Sequence, residues 1–331
     1  MNPVAHAEPS LFPAVPPAVL DDLGRIETRL AEELHSRETR LTQIASHLVG
    51  AGGKRVRPMV VSLVAHGAAD GPLTRRDDVV EAAVALELIH SATLLHDDII
   101  DGGETRRGKP SALAVFGLGD TLVAGDFLFC RAFALCARFE ATVIRWAAEA
   151  CVALTEGEIL QARFRRNVRV TEGDYREIID RKTASLFATG ARTAAHLAGA
   201  PAHIVTIMHA CGTEVGRAFQ MQDDLLDVEG TSARTGKPRG LDLRDGNPSL
   251  PIVLAMALDP EVRRIFGLER PTAADIETGL GRIRRTGVCR TVADRARDAL
   301  TAALAGVVAL PPSDYRTALE GLAQSLAERT T

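Results

Sequence analysis

The segment DVVEAAVALELIHSATLLHDDIIDGG, from Asp78 to Gly103, decides how the rest of the chain is interpreted. From 78 to 100 the apolar residues lie on nearly all sides of a helix rather than in a single stripe, which is typical of a buried helix. The segment ends in Asp97, Asp98 and Asp101, and the two glycines that follow are a signal for the end of a helix. It therefore predicts a central buried helix whose last turn is acidic.

The surrounding sequence continues the helical pattern and offers little to form strands. Alanine- and leucine-rich stretches between glycine and proline breaks predict further helices at 120–138, 141–165, 174–198, 203–228 and 248–258. The chain has few aromatic residues (1 Trp, 2 Tyr and 10 Phe), and we find no run of alternating apolar and polar residues. Both observations disfavour strands. We predict an all-α fold, a single large helical domain of ten or more helices over residues 18–331.

The first 17 residues differ from the rest, because they carry five prolines that forbid a continuous helix. We predict a flexible N-terminal arm over residues 1–17.

Composition excludes several functional classes. The 331 residues include 39 Lys and Arg against 43 Asp and Glu, a net charge of −4, which argues against general binding of nucleic acid. The longest apolar run, 299–310, is too short for a membrane span, and the N-terminus has no pattern of a secretory signal. The five cysteines form no CxxC pair, as expected in a reducing compartment. We therefore predict a cytoplasmic protein without a membrane span.

The acidic end of the first helix has a second copy in the chain. LLHDDIID (94–101) and QMQDDLLD (220–227) share an apolar helix that ends in Asp-Asp-x-x-Asp. Carboxylates spaced by three and four residues lie on one helix face, where they repel one another and the negative end of the helix dipole. Two solvated helix ends are the alternative interpretation, but two copies in strongly apolar helices favour a bound cation. Mg²⁺ held by one or two carboxylates together with substrate phosphate is the usual form of such a site.

Basic residues near these clusters suit an anionic substrate. GGKRVRP (52–58) places Lys54 and Arg57 beside a glycine turn, Arg106 and Arg107 follow the first cluster, and Lys182 precedes Thr183 in a later helix. Taken singly, each is more simply a solvated surface charge. Together with two aspartate clusters they predict a pocket for diphosphates, and the pattern is not a P-loop, since no GxxxxGK[ST] occurs.

Several motifs in a fixed order extend this prediction to a family. They are GGKRVRP, HSATLLHDDIIDGGETRRGKPSA, GDFLF, LTEGEILQ, DRKTASLF, FQMQDDLLD and TGKPRGLDLRDG. From about Leu41 to Leu254 the chain resembles the trans-isoprenyl diphosphate synthases, the polyprenyl synthetase family. The resemblance implies an isoprenoid synthase fold with a central cavity and a homodimer. It also implies head-to-tail (1′-4) condensation of isopentenyl diphosphate with an allylic diphosphate.

The resemblance also implies roles for individual residues. The carboxylates would bind three Mg²⁺ ions through Asp97, Asp101 and Asp223, supported by Asp98, Asp224 and Asp227. Isopentenyl diphosphate would contact Lys54, Arg57, His90 and Arg107, and the allylic diphosphate would contact Arg106, Lys182 and Lys237. The dipoles of Thr183 and Gln220 would face the allylic cation as it forms.

Product length depends on the helix that carries the first motif. Ala92 and Thr93 stand where short-chain relatives typically place an aromatic ring, so the resemblance implies a product of about C30 to C50. Trp146 is a candidate for the floor of the tunnel that holds the growing chain, with Cys136 and Ala147 as other candidates. Trp146 is equally well explained as ordinary core.

One departure from the family and three alternatives remain. Asn247 stands where the family commonly has Lys, and Ser249 where it has Thr. The alternatives are a short-chain (C15–C20) synthase, a terpene cyclase and a non-catalytic synthase subunit. A cyclase typically lacks the second aspartate motif and the basic residues at 54, 57 and 107, and non-catalytic subunits usually lose the aspartates.

Overall fold

The computed structural model describes residues 15–230 and 239–327. Helices make up 77% of the chain, which confirms the all-α prediction. In the described part, the strands are a minimal antiparallel pair, Thr105–Arg106 with Lys109–Pro110. The helices in chain order are α1 (Pro17–Glu33), α2 (Thr39–Val49), α3 (Val56–Ala68), α4 (Arg76–Ile100), α5 (Ala112–Phe116), α6 (Leu118–Cys136), α7 (Ala141–Phe164), α8 (Glu172–Ile179), α9 (Ser185–Leu197), α10 (Ala202–Glu229), α11 (Leu241–Asp245), α12 (Leu250–Leu258), α13 (Pro260–Phe266), α14 (Ala273–Arg285), α15 (Val288–Val307) and α16 (Asp314–Ala327).

The predicted helices are present, with one difference in the segment 174–198. Instead of one helix, α8 and α9 are joined by a turn of π-helix, Asp180–Ala184. A π-turn contains one residue more than an α-helical turn, and such turns are frequent at functional sites. This one carries Lys182 and Thr183.

The N-terminal arm is described only at its end. Residues 1–14 of the predicted arm lie outside the described residues, and α1 already begins at Pro17. Proline is favoured at the first position of a helix because the N–H that it lacks would have no intrahelical partner there.

The chain divides into two compact units. The first contains the described residues up to Cys151 together with 187–210 and 306–322. The second contains the described residues of 152–186, 211–305 and 323–327. One domain over residues 18–331 stays a prediction.

Helix α4 is the centre of the first unit. It packs against α1, α3 and α6 and is buried around its whole circumference, as the sequence predicts. Its last turn lies close to α6, because Gly125 leaves room for His96: a Cβ atom at position 125 would overlap the imidazole ring. His96 Nε2 lies 3.2 Å from the backbone oxygen of Leu122 on α6, so His96 joins the two helices.

A buried carboxylate fixes α1 to the helices that carry the basic motif and the first aspartate motif. Asp22 of α1 is fully buried and accepts hydrogen bonds from Ser62 Oγ (2.5 Å) and Arg76 Nε (2.5 Å), with His66 Nε2 at 2.9 Å. Burial alone would raise the pKa of Asp22, but the hydrogen bonds from His66, Ser62 and Arg76 outweigh it and lower the pKa. The ionised carboxylate therefore holds α1, α3 and the start of α4 in one arrangement.

One helix in the described part is long and apolar enough to cross a membrane by length and composition. It is α4, and 72% of its most apolar window is buried inside the protein. That degree of burial is expected for the core helix described above.

Candidate active site

The first aspartate motif ends α4 in the first unit. Asp97 and Asp101 are half-buried and one helical turn apart, and the Asp101 N–H donates to the Asp97 backbone oxygen at 2.9 Å. Asp98 points inward and is only 2% exposed. Its Oδ1 accepts two hydrogen bonds from the guanidinium of Arg106, from Nε at 2.8 Å and from Nη2 at 2.7 Å. The three carboxylates therefore have two different environments.

The short hairpin after the motif separates its two arginines. Arg107 adopts a left-handed backbone (φ 53°), followed by Gly108 (φ 74°), and this tight turn returns Lys109 to pair with Arg106. While Arg106 binds Asp98, Arg107 reaches the glycine turn before α3. A Cβ atom on Gly53 would lie 3.2 Å from both terminal nitrogens of Arg107, so the guanidinium lies directly against this glycine.

Two acids that the sequence analysis did not single out, the half-buried Glu27 and the buried Glu87, support this basic group. Arg55 caps α3 in a left-handed conformation (φ 48°) and binds Glu27 through Nε and Nη2. Its Nη1 donates to Glu87 of α4 at 3.0 Å. Glu87 is only 4% exposed, and a lone acidic residue in an otherwise apolar segment was the available signal. The pairing partners lie 28 and 32 residues away in sequence, which no local pattern reveals.

His90 lies among these arginines as a neutral imidazole. Burial, followed by the charges of Arg57, Arg107, Arg106 and Arg55, holds the pKa of His90 well below its usual range. Arg57 itself stacks its guanidinium over the ring of Phe187, 4.5 Å from the ring centre. The first unit therefore brings four arginines together around a neutral imidazole, an arrangement that suits an anionic ligand. Of the predicted site residues, this group contains Arg57, His90, Arg106 and Arg107.

The second aspartate motif lies in the second unit, at the end of α10. Asp223 is exposed, whereas Asp224 and Asp227 point inward to backbone amides. Asp224 Oδ2 accepts from the N–H of Leu250 at 3.0 Å, which begins α12. Asp227 accepts from the N–H groups of Leu241 and Asp242 at 2.9 and 3.1 Å, at the start of α11. Two of the three carboxylates thus organise the segment that follows the motif.

Polar side chains link the π-turn to this motif. Thr183 Oγ1 donates to Gln220 Oε1 at 2.8 Å, and Gln220 Nε2 donates to Asp224 Oδ1 at 2.9 Å. Burial raises the pKa of Asp224 to about 6, in spite of the hydrogen bond from Gln220. These hydrogen bonds fix the orientation of both side chains. Thr183 Oγ1 and Gln220 Oε1 each keep a lone pair that can face a ligand. Lys182, next to Thr183, forms an ion pair with Glu158 of α7.

Asn247, which stands where the family commonly has Lys, lies in the segment after the second motif. The N–H of Asn247 donates to the Asp242 backbone oxygen at 2.8 Å, and its Oδ1 is buried without a hydrogen-bond partner in the described part of the chain. Burial, then the charges of Asp227 and Asp224, raise the pKa of Asp242 well above its usual range. Asn247 therefore lies in an acidic environment.

Arg166 holds this segment in place and was missed by the sequence analysis. Its N–H donates to the Gly246 oxygen at 2.9 Å, and its Nη2 donates to the Arg244 oxygen at 2.7 Å. A side chain on Gly246 would collide with that of Arg166. Arg166 stands in the basic run RFRRNVR (163–169), and its partners lie some 80 residues away, which no local pattern reveals.

The residues proposed for product length lie in the first unit. Ala92 is fully buried, and Thr93 is half-buried with its Oγ1 donating to the His90 oxygen at 2.8 Å. Trp146 packs against the Arg192 guanidinium, 4.7 Å from its ring centre, and edge-on against His196 at 5.4 Å. A separate buried apolar cluster consists of Ala85, Cys136 and Ala147.

The carboxylates fit a metal that is shared with substrate. Among residues 15–230 and 239–327, no three His, Cys, Asp or Glu side chains are arranged to hold a metal ion by themselves. The second oxygen of Asp98 is nevertheless buried, and no described residue donates a hydrogen bond to it. Oxygen donors in ones and twos are what Mg²⁺ takes when phosphate supplies further ligands. Lys237, the remaining predicted site residue, lies outside the described residues.

Comparison with known proteins agrees with this geometry. The sequence profile described as polyprenyl synthetase matches residues 38–278, more than half of the chain. The octaprenyl diphosphate synthase of Escherichia coli is 33% identical over 313 residues, which cover 93% of this chain and 96% of that protein. Heptaprenyl diphosphate synthase component 2 of Geobacillus stearothermophilus is 36% identical over 316 residues, which cover 93% and 96%.

A solved structure shares the fold over nearly the whole chain. It is a polyprenyl synthase from Caulobacter crescentus in complex with calcium and isoprenyl diphosphate. The TM-score is 0.89 at 34% identity, with 95% of this chain and 96% of that chain covered. Profile, sequence and structure agree, and the chain belongs to the polyprenyl synthetase family.

Proposed function

We propose that this chain condenses isopentenyl diphosphate with an allylic diphosphate, head to tail, to give a linear all-trans polyprenyl diphosphate of about C30 to C50. The observation that carries the proposal is the end of α4. There, Asp98 is bonded to Arg106 beside a cluster of arginines around a neutral His90. Carboxylates for a metal and cations for phosphate lie side by side in that cluster, as a diphosphate transferase requires.

The basic residues would divide the two substrates between them. Lys54, Arg57, His90 and Arg107 would bind isopentenyl diphosphate, with His90 donating a hydrogen bond rather than a charge. Arg106, Lys182 and Lys237 would bind the allylic diphosphate. Enzymes of this family use isoprenyl diphosphates and bind them through Mg²⁺. We propose three Mg²⁺ ions per site, with ligands among Asp97, Asp98, Asp101, Asp223, Asp224 and Asp227.

The chemistry follows from charge neutralisation. Mg²⁺ held by the aspartates of the two motifs would neutralise charge on the diphosphate oxygens and so favour departure of the leaving group. The allylic C–O bond breaks and its electron pair leaves with the diphosphate, whose charge the arginine and lysine side chains hold. The oxygens of Thr183 and Gln220 would face the allylic cation. The double bond of isopentenyl diphosphate forms the new C–C bond, and a proton lost to the released diphosphate restores a double bond.

Product length is proposed from the size of the buried side chains along α4. Ala92 and Thr93 leave room beside the first motif, and Ala85, Cys136 and Ala147 offer a buried lining of small apolar groups. Trp146 remains a candidate floor, although its ring faces the charged Arg192. The named relatives make products of seven and eight isoprene units, which supports a long product.

An exposed apolar face on α6 supports the proposed homodimer. Leu118, Leu122 and Phe133 are spaced at helical intervals on this helix, and they are 60%, 43% and 39% exposed. Exposed apolar residues in one row mark a surface for a partner, and a second copy of the chain is the partner we propose. We also propose that the protein acts in the cytoplasm.

The proposed function is tested with the purified chain alone. Supplied with Mg²⁺, isopentenyl diphosphate and farnesyl diphosphate, it should release inorganic diphosphate and form products of about C30 to C50 by mass spectrometry. Release from the allylic diphosphate without isopentenyl diphosphate would indicate a terpene cyclase. Products that end at C15 to C20 would indicate a short-chain synthase. No release by the chain alone, with release after a second component is added, would indicate a subunit of a heteromeric enzyme.

Restoring the family's lysine at position 247 should improve the use of the allylic substrate. Asn247→Lys places a cation beside the buried Asp242, ten residues after Lys237, which is proposed to bind the allylic diphosphate. A well-placed charge-assisted contact contributes about 1.5–3 kcal/mol, so KM for the allylic diphosphate should fall or kcat should rise by about 10- to 150-fold. Steady-state kinetics measures both constants. If neither constant changes, position 247 does not act on the diphosphates.

A further inference from the structure

We propose that Glu158 is a positioning residue that holds the ammonium group of Lys182 in the orientation that the allylic diphosphate requires. The inference rests on the proposed function, since Lys182 is a residue that would bind this diphosphate. It assigns a role to the second half of the LTEGEILQ motif, which the mechanism above leaves without one.

The first observation is the ion pair itself. Glu158 Oε2 contacts Lys182 Nζ, and the two side chains are only 16% and 22% exposed. A pair this far from solvent is screened less than a surface pair, and breaking it leaves a poorly solvated charge. A lysine side chain loses up to about 2 kcal/mol of rotamer entropy when it is fixed. Glu158 therefore restricts Lys182 before any substrate binds.

The second observation is how closely α7 approaches the π-turn. A Cβ atom on Gly157 would lie 2.6 Å from the backbone nitrogen of Lys182 and 3.0 Å from its Cα. Only glycine permits this contact, and it places the carboxylate of the next residue directly beside the ammonium. The π-turn, which the sequence pattern did not predict, lies against this glycine.

The third observation is the other oxygen of the same carboxylate. Glu158 Oε1 is buried and has no hydrogen-bond partner within residues 15–230 and 239–327. Leaving a buried carboxylate oxygen unpaired costs free energy, and a residue that served stability alone would not need this arrangement. Thr183, the neighbour of Lys182, is meanwhile fixed by its hydrogen bond to Gln220. Both residues of the Lys-Thr pair are thus held by side chains from other helices.

A lysine that is held by a buried glutamate is a recurrent device for phosphate binding, as in the Lys–Glu pair of protein kinases. Loss of such a supporting group typically lowers activity by about 10- to 100-fold. We therefore expect Glu158→Gln, which keeps the shape of the side chain and removes its charge, to lower kcat/KM for the allylic diphosphate by about 10- to 100-fold. KM for isopentenyl diphosphate should change by less than about twofold.

A double-mutant cycle shows whether Glu158 acts through Lys182. The four proteins are wild type, Glu158→Gln, Lys182→Met and the double variant. If Glu158 acts through Lys182, the double variant is no less active than Lys182→Met alone. Effects that multiply, or a Glu158→Gln enzyme with wild-type kinetics, would overturn the proposal. Thermal unfolding of each protein verifies the fold, and Glu158→Asp replaces Glu158→Gln in the cycle should the latter unfold.

The chain offers a matched control two residues away on the same helix. Glu156 lies 3.9 Å from Arg181, the neighbour of Lys182, but its side chain is exposed. Glu156→Gln removes the same charge from the same region and should change kcat/KM by less than about twofold, as expected for an exposed pair. If Glu156→Gln lowers kcat/KM as much as Glu158→Gln does, the negative charge of α7 as a whole, rather than the Glu158–Lys182 pair, is responsible.

Binding of inorganic diphosphate separates this inference from the proposed function. Isothermal titration of the four proteins with Mg²⁺ and inorganic diphosphate needs no turnover. We expect Glu158→Gln to weaken binding about five- to tenfold, within the range of measured pair couplings, and to have no effect once Lys182 is methionine. If the four proteins show this coupling in diphosphate binding but the wild-type chain forms no product, the proposed function alone is contradicted. A chain that binds no diphosphate would contradict both.

Discussion

Replacing Asp98 by alanine is expected to lower kcat by at least about 10²- to 10³-fold, the scale of losing a preorganised electrostatic group. The carboxylate is 2% exposed, bonds Arg106 through one oxygen, and keeps the other without a hydrogen-bond donor in the described part of the chain. In the proposed mechanism it would serve a metal and a substrate-binding arginine at once. Turnover measured at saturating substrate tests the effect, and the same loss should follow removal of divalent metal by excess EDTA.

The alanine variant also leaves Arg106 without its buried partner, which costs about 3–5 kcal/mol when one member of a buried pair is removed. Asp98→Asn separates this cost from the loss of catalysis, because asparagine keeps the shape and one acceptor. It should be nearly as inactive as alanine while unfolding at a higher temperature. Asp70→Asn, at an exposed loop aspartate of the same unit, is the control and should leave kcat unchanged. Full activity in excess EDTA would contradict the metal-dependent mechanism.

The helices and the motifs were accessible from the sequence because both depend on local pattern. Apolar residues on all faces of 78–100 predicted a buried helix, and α4 is one. The i and i+4 spacing of Asp97 and Asp101 predicted a shared face, which follows from helix geometry alone. What local spacing does not contain is which carboxylate turns inward. That choice depends on Arg106 for Asp98, and on the amide of Leu250 for Asp224.

The features that the sequence analysis missed have a common physical origin. The π-turn at Asp180–Ala184 coincides with the close approach of Gly157, a contact between residues 25 apart in the chain. Arg55 and Arg166 resemble ordinary surface charges until their partners, Glu87 and the Arg244 carbonyl, are brought to them by folding. Long-range pairing of this kind has no period in the sequence. Lone charges or glycines within apolar segments are the signals to look for.

Placing a phenylalanine at position 92 should shorten the product from about C30–C50 to about C15–C20. Ala92 is fully buried on α4, five residues before Asp97. Ala85 lies seven residues earlier on the same helix face, about 10 Å further along the axis, and belongs to the buried cluster with Cys136 and Ala147. If the growing chain runs along this face, a ring at either position stops it, and the stop comes later at the deeper one.

The expected order of product length is therefore Ala92→Phe shortest, Ala85→Phe intermediate and wild type longest. Mass spectrometry of products made from farnesyl diphosphate or a shorter primer measures it.

Overpacking a core costs about 1–3 kcal/mol, so a general loss of order is the competing explanation for any change in product length. Ala83→Phe controls for it, because residue 83 is also fully buried but lies about 200° around the helix from Ala85. It should destabilise the protein without changing product length. An unchanged product from Ala92→Phe, or equal shortening by all three variants, would show that this face of α4 does not line the path of the growing chain.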